Sequence, residues 1–112
     1  MKIQHFTATP PEAAPEAPGV SIRWVITAKD GAPNFAMRVF DVQPGAASPR
    51  HQHAWEHEVF ILEGKGVVRD EAGDTPVEAG YVVLVKPGEM HQFVNTGEGL
   101  LRFICLIPHQ QP

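Results

Sequence analysis

The sequence predicts an all-β domain built as a small barrel or sandwich. Hydrophobic residues make up 43% of the 112 residues. Gly and Pro clusters interrupt them at intervals of about eight to twelve residues, which is typical of successive short strands. No stretch shows the long 3.6-residue period of an amphipathic helix. A chain of this length supports one hydrophobic core, so we expect a single domain.

Composition argues against several classes of partner. The formal net charge is -4 and the nine Lys and Arg residues are scattered, so no basic stripe is available to neutralise nucleic-acid phosphates. The single cysteine, Cys105, cannot form an internal disulfide. No apolar segment is long enough to span a bilayer or to act as a secretory signal. We therefore expect a cytoplasmic protein without nucleic-acid or membrane partners.

Residues 1–19 are predicted to form a Pro/Ala-rich arm, and residues 20–112 the barrel domain. Residues 1–6 are apolar enough for a short strand. Four prolines between residues 7 and 19 disfavour both a helix and a strand that pairs through its backbone. The arm is expected to be disordered or to lie across a second subunit, where Ile3 and Phe6 would be buried; we favour the second alternative.

The remaining chain reads as strands separated by turns. Asp30-Gly31 and Pro44-Gly45 are turn signals, and a hairpin is expected at residues 63–66. The apolar run 81–85 is expected to be buried on both faces. Because several strands are apolar on both faces, we also expect a homodimer. The predicted strands cover residues 20–27, 34–42, 58–62, 67–69, 75–78, 81–85, 91–95 and 100–107.

Four histidines suggest a metal site. His51, His53 and His57 occur within one short segment, and His91 lies in a second segment bounded by turns. Strand residues two apart point to the same face, so the first three side chains are expected to project together if the register does not slip. Neutral imidazole is a common ligand for transition metals, and four such ligands would leave coordination positions open for a substrate.

These segments resemble the two conserved motifs of the cupin superfamily. The first is Gly45-x5-His51-x-His53-x4-Glu58-x5-Gly64, and the second is Gly80-x7-Gly88-x2-His91-x3-Asn95. The resemblance covers about residues 37–107. It implies a single-domain cupin double-stranded β-helix, which is a jelly-roll barrel.

The stretch from His51 to Glu58, together with residues 32–35 and 105–108, is similar to small bacterial manganese cupins with four histidine ligands. This resemblance implies that the ligands are His51, His53, His57 and His91, with Glu58 as the alternative to His57. It also implies one divalent transition metal ion per chain. Manganese is the first expectation, and iron, nickel, zinc and copper are the alternatives, because affinity order does not reveal what the cell supplies.

Other residues are candidates for the surroundings of the metal. Phe93 falls on the same strand face as the last of the four histidines, and Phe103 and Cys105 share a face of the final strand. All three are expected to line a cavity, with ordinary barrel core as the alternative. Glu56 or Glu58 could accept an imidazole N–H, and a solvated strand position is the equal alternative for both.

The function expected from this site is a metal-dependent oxidoreductase of the dioxygenase type acting on a small organic molecule. Four neutral ligands leave the full charge of a divalent ion on the site, which favours anionic species such as carboxylates and enolates. The alternative is a non-catalytic module that binds a small molecule or a metal. The resemblance does not choose between them, since cupins also include isomerases, decarboxylases and hydrolases.

Overall fold

The computed structural model describes residues 1–110, and its regular structure is almost entirely strand. The only helical segments among these residues are two single turns of 3-10 helix, Phe6–Ala8 and Ala28–Asp30. Every strand predicted from residue 20 onward occurs, with small shifts at its ends, so the all-β class is confirmed. In chain order the strands are β1 (Glu12–Ala13), β2 (Val20–Ile26), β3 (Phe35–Val42), β4 (His57–Glu63), β5 (Lys65–Asp70), β6 (Gly73–Glu78), β7 (Val82–Val85), β8 (Gln92–Val94) and β9 (Leu101–Pro108).

The strands form two antiparallel sheets. The larger sheet has the order β1-β2-β3-β9-β4-β7, and the smaller has the order β6-β5-β8. The last strand, β9, lies between β3 and β4, which is a non-sequential order consistent with a jelly roll. Two isolated bridges, between Ala47 and Val94 and between His51 and His91, join the loop after β3 to the β8 region.

The core is built from side chains of both sheets. Phe40 on β3 stacks on Phe103 of β9 with ring centroids 4.9 Å apart, and Phe103 stacks on Phe93 of β8 at 4.6 Å. Val42 and Ile61 are completely buried beside them. Because burial of such side chains is the main favourable term in folding, this aromatic stack holds the two sheets together.

The chain crosses from one sheet to the other at Gly64, between β4 and β5. Its φ is +84°, and a Cβ at this position would collide with the carbonyl oxygen of Leu100. Only glycine fits such a conformation next to another backbone. The predicted hairpin at residues 63–66 is therefore wrong: β4 and β5 belong to different sheets, and the glycine serves a crossover between them.

The Pro/Ala-rich segment packs on its own barrel instead of forming a disordered arm, and contact of Ile3 and Phe6 with a second subunit stays a prediction. Glu12 pairs with Ile22 in a two-residue ladder between β1 and β2. Ala14 and Ala17 are buried and belong to the core cluster. Proline lacks a backbone N–H, so the ladder stays short, but the small alanines pack closely against the sheet.

The first residues also differ from expectation, because the strand predicted at residues 1–6 does not form. A 3-10 turn begins at Phe6, whose ring lies 4.8 Å from the Arg102 guanidinium. Lys2 forms an ion pair with Asp30 at 2.9 Å. Side-chain contacts to the barrel thus replace backbone pairing. No helix in the described part of the chain is long and apolar enough to cross a membrane.

The apolar run 81–85 is not buried on both faces within this chain. Val82 and Leu84 are 73% and 56% exposed, whereas Val85 is buried. The reason is topological, since β7 is the edge strand of the larger sheet and only one of its faces meets the core. The outward side chains form an apolar surface together with Phe60 of β4, which is 46% exposed.

Candidate metal centre

Backbone hydrogen bonds bring the two histidine segments together. His51 and His91 exchange a pair of backbone bonds, of 3.0 and 2.9 Å, as an isolated antiparallel bridge. The Gly88 N–H donates to the carbonyl oxygen of His53 at 2.7 Å. The loop after β3 is therefore fixed against the turn before β8. This long-range pairing places His91 opposite the first three histidines.

Three imidazoles converge at this point. The potential ligand nitrogens of His53, His57 and His91 all lie within 4.8 Å of one another. His57 is the first residue of β4 and points inward, while His91 immediately precedes β8. The ring centroids of His57 and His91 are 4.6 Å apart. Three donors at such separations can hold one transition-metal ion.

The hydrogen bonds of two of these rings fit metal binding through Nε2. Nδ1 of His91 lies 3.1 Å from the carbonyl oxygen of Glu89, which can only accept, so Nδ1 carries the proton. Nδ1 of His57 lies 3.3 Å from Sγ of Cys105. Nε2 of His57 is buried without a hydrogen-bond partner among the described residues. A metal ion bound to Nε2 of His57 would supply the missing partner. In metal-bound histidines the second ring nitrogen is usually held by another protein group, and Nδ1 of His57 has such a group in Cys105.

The electrostatics of the site favour neutral imidazole. Burial is the main cause that lowers the pKa of His57 to about 3, and the nearby His91 and Arg38 act in the same direction. Burial is also the main cause of the lowered pKa values of His53 and His91. Neutral imidazole is the form that binds metals, so these rings do not need to lose a proton near neutral pH.

His51 lies at the edge of this cluster. Its ring centroid is 4.9 Å from that of His53, but its side chain is exposed and outside the group of three. Trp55 stacks on the imidazole of His53, with ring centroids 4.5 Å apart. The structure thus brings together three of the four predicted ligands, and the role of His51 as the fourth stays a prediction.

A cavity of about 200 Å³ opens beside the histidines. Phe93, Phe103 and Cys105, the residues proposed from sequence to line it, are all on its wall. Phe40 and Ile22 add further apolar surface. The cavity is smaller than the roughly 300 to 1,000 Å³ of pockets that bind drug-sized ligands, which suits a small molecule with an apolar part.

Sequence reasoning missed two charged residues on the cavity wall, Arg38 and Glu16, of which Arg38 is partly buried. Arg38 lies on β3 between the buried side chains of Ala36 and Phe40, and its Nη2 is 3.0 Å from Sγ of Cys105. The sequence did contain a signal for Arg38. Residues two apart on a strand share a face, and the residues two positions before and after Arg38 are apolar. The N-terminal segment also contributes to the wall, through Ala14 and Glu16.

The two glutamates beside His57 lie away from the cluster. Glu56 and Glu58 are both exposed, and neither borders the cavity that contains the histidines. On β4, inward and outward residues alternate, so Glu58 faces outward when His57 faces inward. Neither glutamate forms a hydrogen bond with an imidazole among the described residues. The geometry gives no support to Glu58 as a ligand or to either residue as a partner of one.

Comparison with known proteins agrees with this fold. The model of the cupin domain family matches residues 38–107. The chain superposes on the polyketide cyclase RemF from Streptomyces resistomycificus with a TM-score of 0.93 and 32% identity, covering 100% of this chain and 82% of that one. A Thermotoga maritima protein described as a predicted oxalate decarboxylase superposes with a TM-score of 0.86 at 24% identity, covering 97% of this chain and 100% of that one.

Two curated relatives match over shorter stretches. An oxalate-binding protein from Thermotoga maritima is 40% identical over 65 residues, which is 57% of this chain and 54% of the relative. A 1-methylthio-D-xylulose 5-phosphate methylsulfurylase from Rhodospirillum rubrum is 38% identical over 74 residues, 63% of this chain and 46% of the relative. The matched region thus spans about half the length of these relatives.

Proposed function

Because the chain belongs to the family of cupin domains, we propose that it is a metal-dependent enzyme that acts on a small organic molecule bound in the cavity. The observation that carries this proposal is the convergence of His53, His57 and His91 beside an apolar cavity. A metal ion held there would supply Lewis acidity, which stabilises an enolate or phenolate form of the bound molecule.

The residues of the chain then have separate tasks. Phe93 and Phe103 give the apolar part of the substrate a flat surface to pack against and exclude water from that side. Cys105 and the Glu89 carbonyl hold Nδ1 of two histidines, which fixes the direction of each ring. Such rigid support keeps the reacting group of a substrate in one place.

Two reactions suit a molecule activated in this way. The first is the dioxygenase-type oxidation expected from the sequence, in which molecular oxygen adds to the activated molecule. The second is a cyclisation without oxidation. The specific observation that favours the second is the similarity to a polyketide cyclase over the whole of this chain. Both reactions need the same histidines and differ in their products.

The test begins with protein purified without an affinity tag or added metal. Element-resolved mass spectrometry should find close to one transition-metal ion per chain, and His53→Ala should lower this ratio strongly. The metal-loaded protein is then incubated with small phenols and β-dicarbonyl compounds while oxygen consumption and product mass are followed. Oxygen uptake with incorporation into the product assigns the oxidation, and loss of water without uptake assigns a dehydrative cyclisation. Failure to hold metal after reconstitution would reject the proposal.

A non-catalytic binding module is the competing function. The observation in its favour is the 40% identity to an oxalate-binding protein over the matched region. Thermal stabilisation by a small carboxylate, with neither oxygen uptake nor a new product, would favour a binding module over an enzyme.

We also propose that two copies of the chain form a dimer through the exposed apolar surface of Phe60, Val82 and Leu84. This surface lies on β4 and β7, and the outer edge of β7 has no strand partner among the described residues. A second copy related by two-fold symmetry can cover both this unpaired edge and the exposed apolar side chains beside it. In such a dimer the same surface of each subunit forms the interface.

A further inference from the structure

The Arg38 guanidinium is held at the cavity by two aromatic rings. Its central carbon lies 5.2 Å from the ring centroid of Trp24 and 4.8 Å from that of Phe40. Both rings come from the same sheet as Arg38, on β2 and β3. Aromatic faces stabilise a guanidinium and restrict its motion. The positive charge is therefore kept in a defined position next to the histidine cluster.

This charge has no anionic partner within the described part of the chain. Nη2 contacts only neutral groups, Sγ of Cys105 at 3.0 Å and Nδ1 of His57 at 3.4 Å. Nε is buried without a hydrogen-bond partner, and none of the ion pairs within residues 1–110 includes Arg38. Glu16, the acidic residue on the cavity wall, is exposed and forms no ion pair with it.

An unpaired charge in this position has an energetic cost. A partly buried cation loses hydration and normally regains it through an anion or a set of hydrogen bonds. Here the neighbouring imidazoles are neutral and supply no negative charge, and a metal ion bound by them would add positive charge instead of compensating it. An anion that entered the cavity would supply the missing compensation.

We propose that Arg38 determines substrate specificity by binding a carboxylate of the molecule that enters the cavity, so that the natural ligand is a small organic carboxylate with an aromatic or enolisable part. This inference rests on the proposed function and deepens it. A carboxylate fits better than a phosphate monoester because its single negative charge matches that of one guanidinium, whereas a phosphate monoester carries about -1.5 to -2 at pH 7. The planar guanidinium can bind both carboxylate oxygens. The aromatic side chains that line the remaining wall match the apolar part of such a molecule.

The test compares two ligands of nearly the same shape, salicylate and its neutral amide, salicylamide, on zinc-loaded protein. Zinc has no redox chemistry, so binding can be measured without oxidation. Isothermal titration calorimetry should give a clear preference of the parent protein for salicylate. Arg38→Gln should reduce this preference about ten- to hundredfold, with little change in the affinity for salicylamide. Arg38→Lys should restore part of it.

The matched control is Arg50→Gln, which removes the same charge from an exposed residue that is near the histidines but does not line the cavity. It should leave the preference intact. A parent protein that binds both ligands equally would overturn the inference, as would an equal effect of Arg38→Gln and Arg50→Gln. Zinc content is measured for each variant. Absence of zinc from the parent rejects the metal-dependent function separately, and the same ratio is then measured on metal-free protein to test Arg38.

Discussion

Nδ1 of His57 lies 3.3 Å from Sγ of Cys105 in the interior of the barrel, and both residues are buried. The thiol therefore holds the imidazole nitrogen that faces away from the histidine cluster. Cys105 thus fixes the orientation of the His57 imidazole ring. Burial raises the pKa of the Cys105 thiol, which keeps it neutral near pH 7.

Removing this contact should weaken metal binding. Cys105→Val replaces the thiol with an apolar group, and we expect a loss of metal affinity of about ten- to hundredfold, as for other groups that orient a ligand. Cys105→Ser keeps a hydrogen-bonding group and should lose less. Competition with a chromophoric chelator measures both affinities. Equal affinities for the parent and the valine variant would contradict an orienting role.

The three clustered histidines should differ from His51 in their effect on metal content. Alanine at His57 or His91 removes a buried donor, so we expect less than half of the parent metal content after purification. His51→Ala tests whether the exposed His51 is a fourth ligand. A clear loss of metal in that variant would support the four-histidine set, whereas an unchanged ratio of metal to protein would leave a three-histidine site.

The metal-free protein should lose stability as the pH falls below about 6.5. The pKa of His57 is about 3 in the folded chain, against 6.5 for an unperturbed histidine. The unfolded state binds the proton first, so protonation favours unfolding and stability declines between about pH 6.5 and 3. By pH 4.5 the loss from this residue should be on the order of 1 to 3 kcal/mol.

Urea unfolding of chelator-treated protein at several pH values measures this dependence. His57→Gln removes the titrating group, so its stability should fall less steeply over the same range. The control is His5→Gln at an exposed position in the N-terminal segment. The same pH slope for the parent and the His57 variant would show that His57 is not protonated on unfolding.

The aromatic stack should contribute much more to stability than an exposed phenylalanine. Phe103 is 2% exposed and stacks on two rings, so Phe103→Ala should lower the free energy of unfolding by about 3 to 5 kcal/mol. Phe35 is 62% exposed, and the same change there should cost less than about 1 kcal/mol. Chemical denaturation of the two variants compares the costs directly. Similar values would contradict the position of the core.

The proposed dimer should separate when charge is placed on its apolar surface. Val82→Glu introduces a carboxylate at the centre of that surface, where burial would leave it unpaired. Light scattering should then give the mass of one chain, against two for the parent. Thr75→Glu adds the same charge on β6 of the other sheet and should remain dimeric. A monomeric parent at micromolar concentration would refute the dimer.

Much of the fold follows from local features of the sequence. Alternating apolar residues and turn signals predict every strand from residue 20 onward, because side-chain direction in a strand reverses at each residue. The predictions failed where long-range packing decides the outcome. The edge position of β7 exposes Val82, and Ala14 finds space against the barrel despite the prolines around it.

The sequence by itself determined which groups could bind a metal and the class of fold that would carry them. It predicted His51, His53 and His57 on one strand face and added His91 from a second segment bounded by turns. Only the tertiary structure decided which of them meet, because the bridge between residues 51 and 91 joins segments that are distant in the chain. It also decided that Arg38 points into the cavity without an anionic partner. The physical reason is that the charges around a group come from every element packed against it. The pattern of residues along one strand does not contain that information.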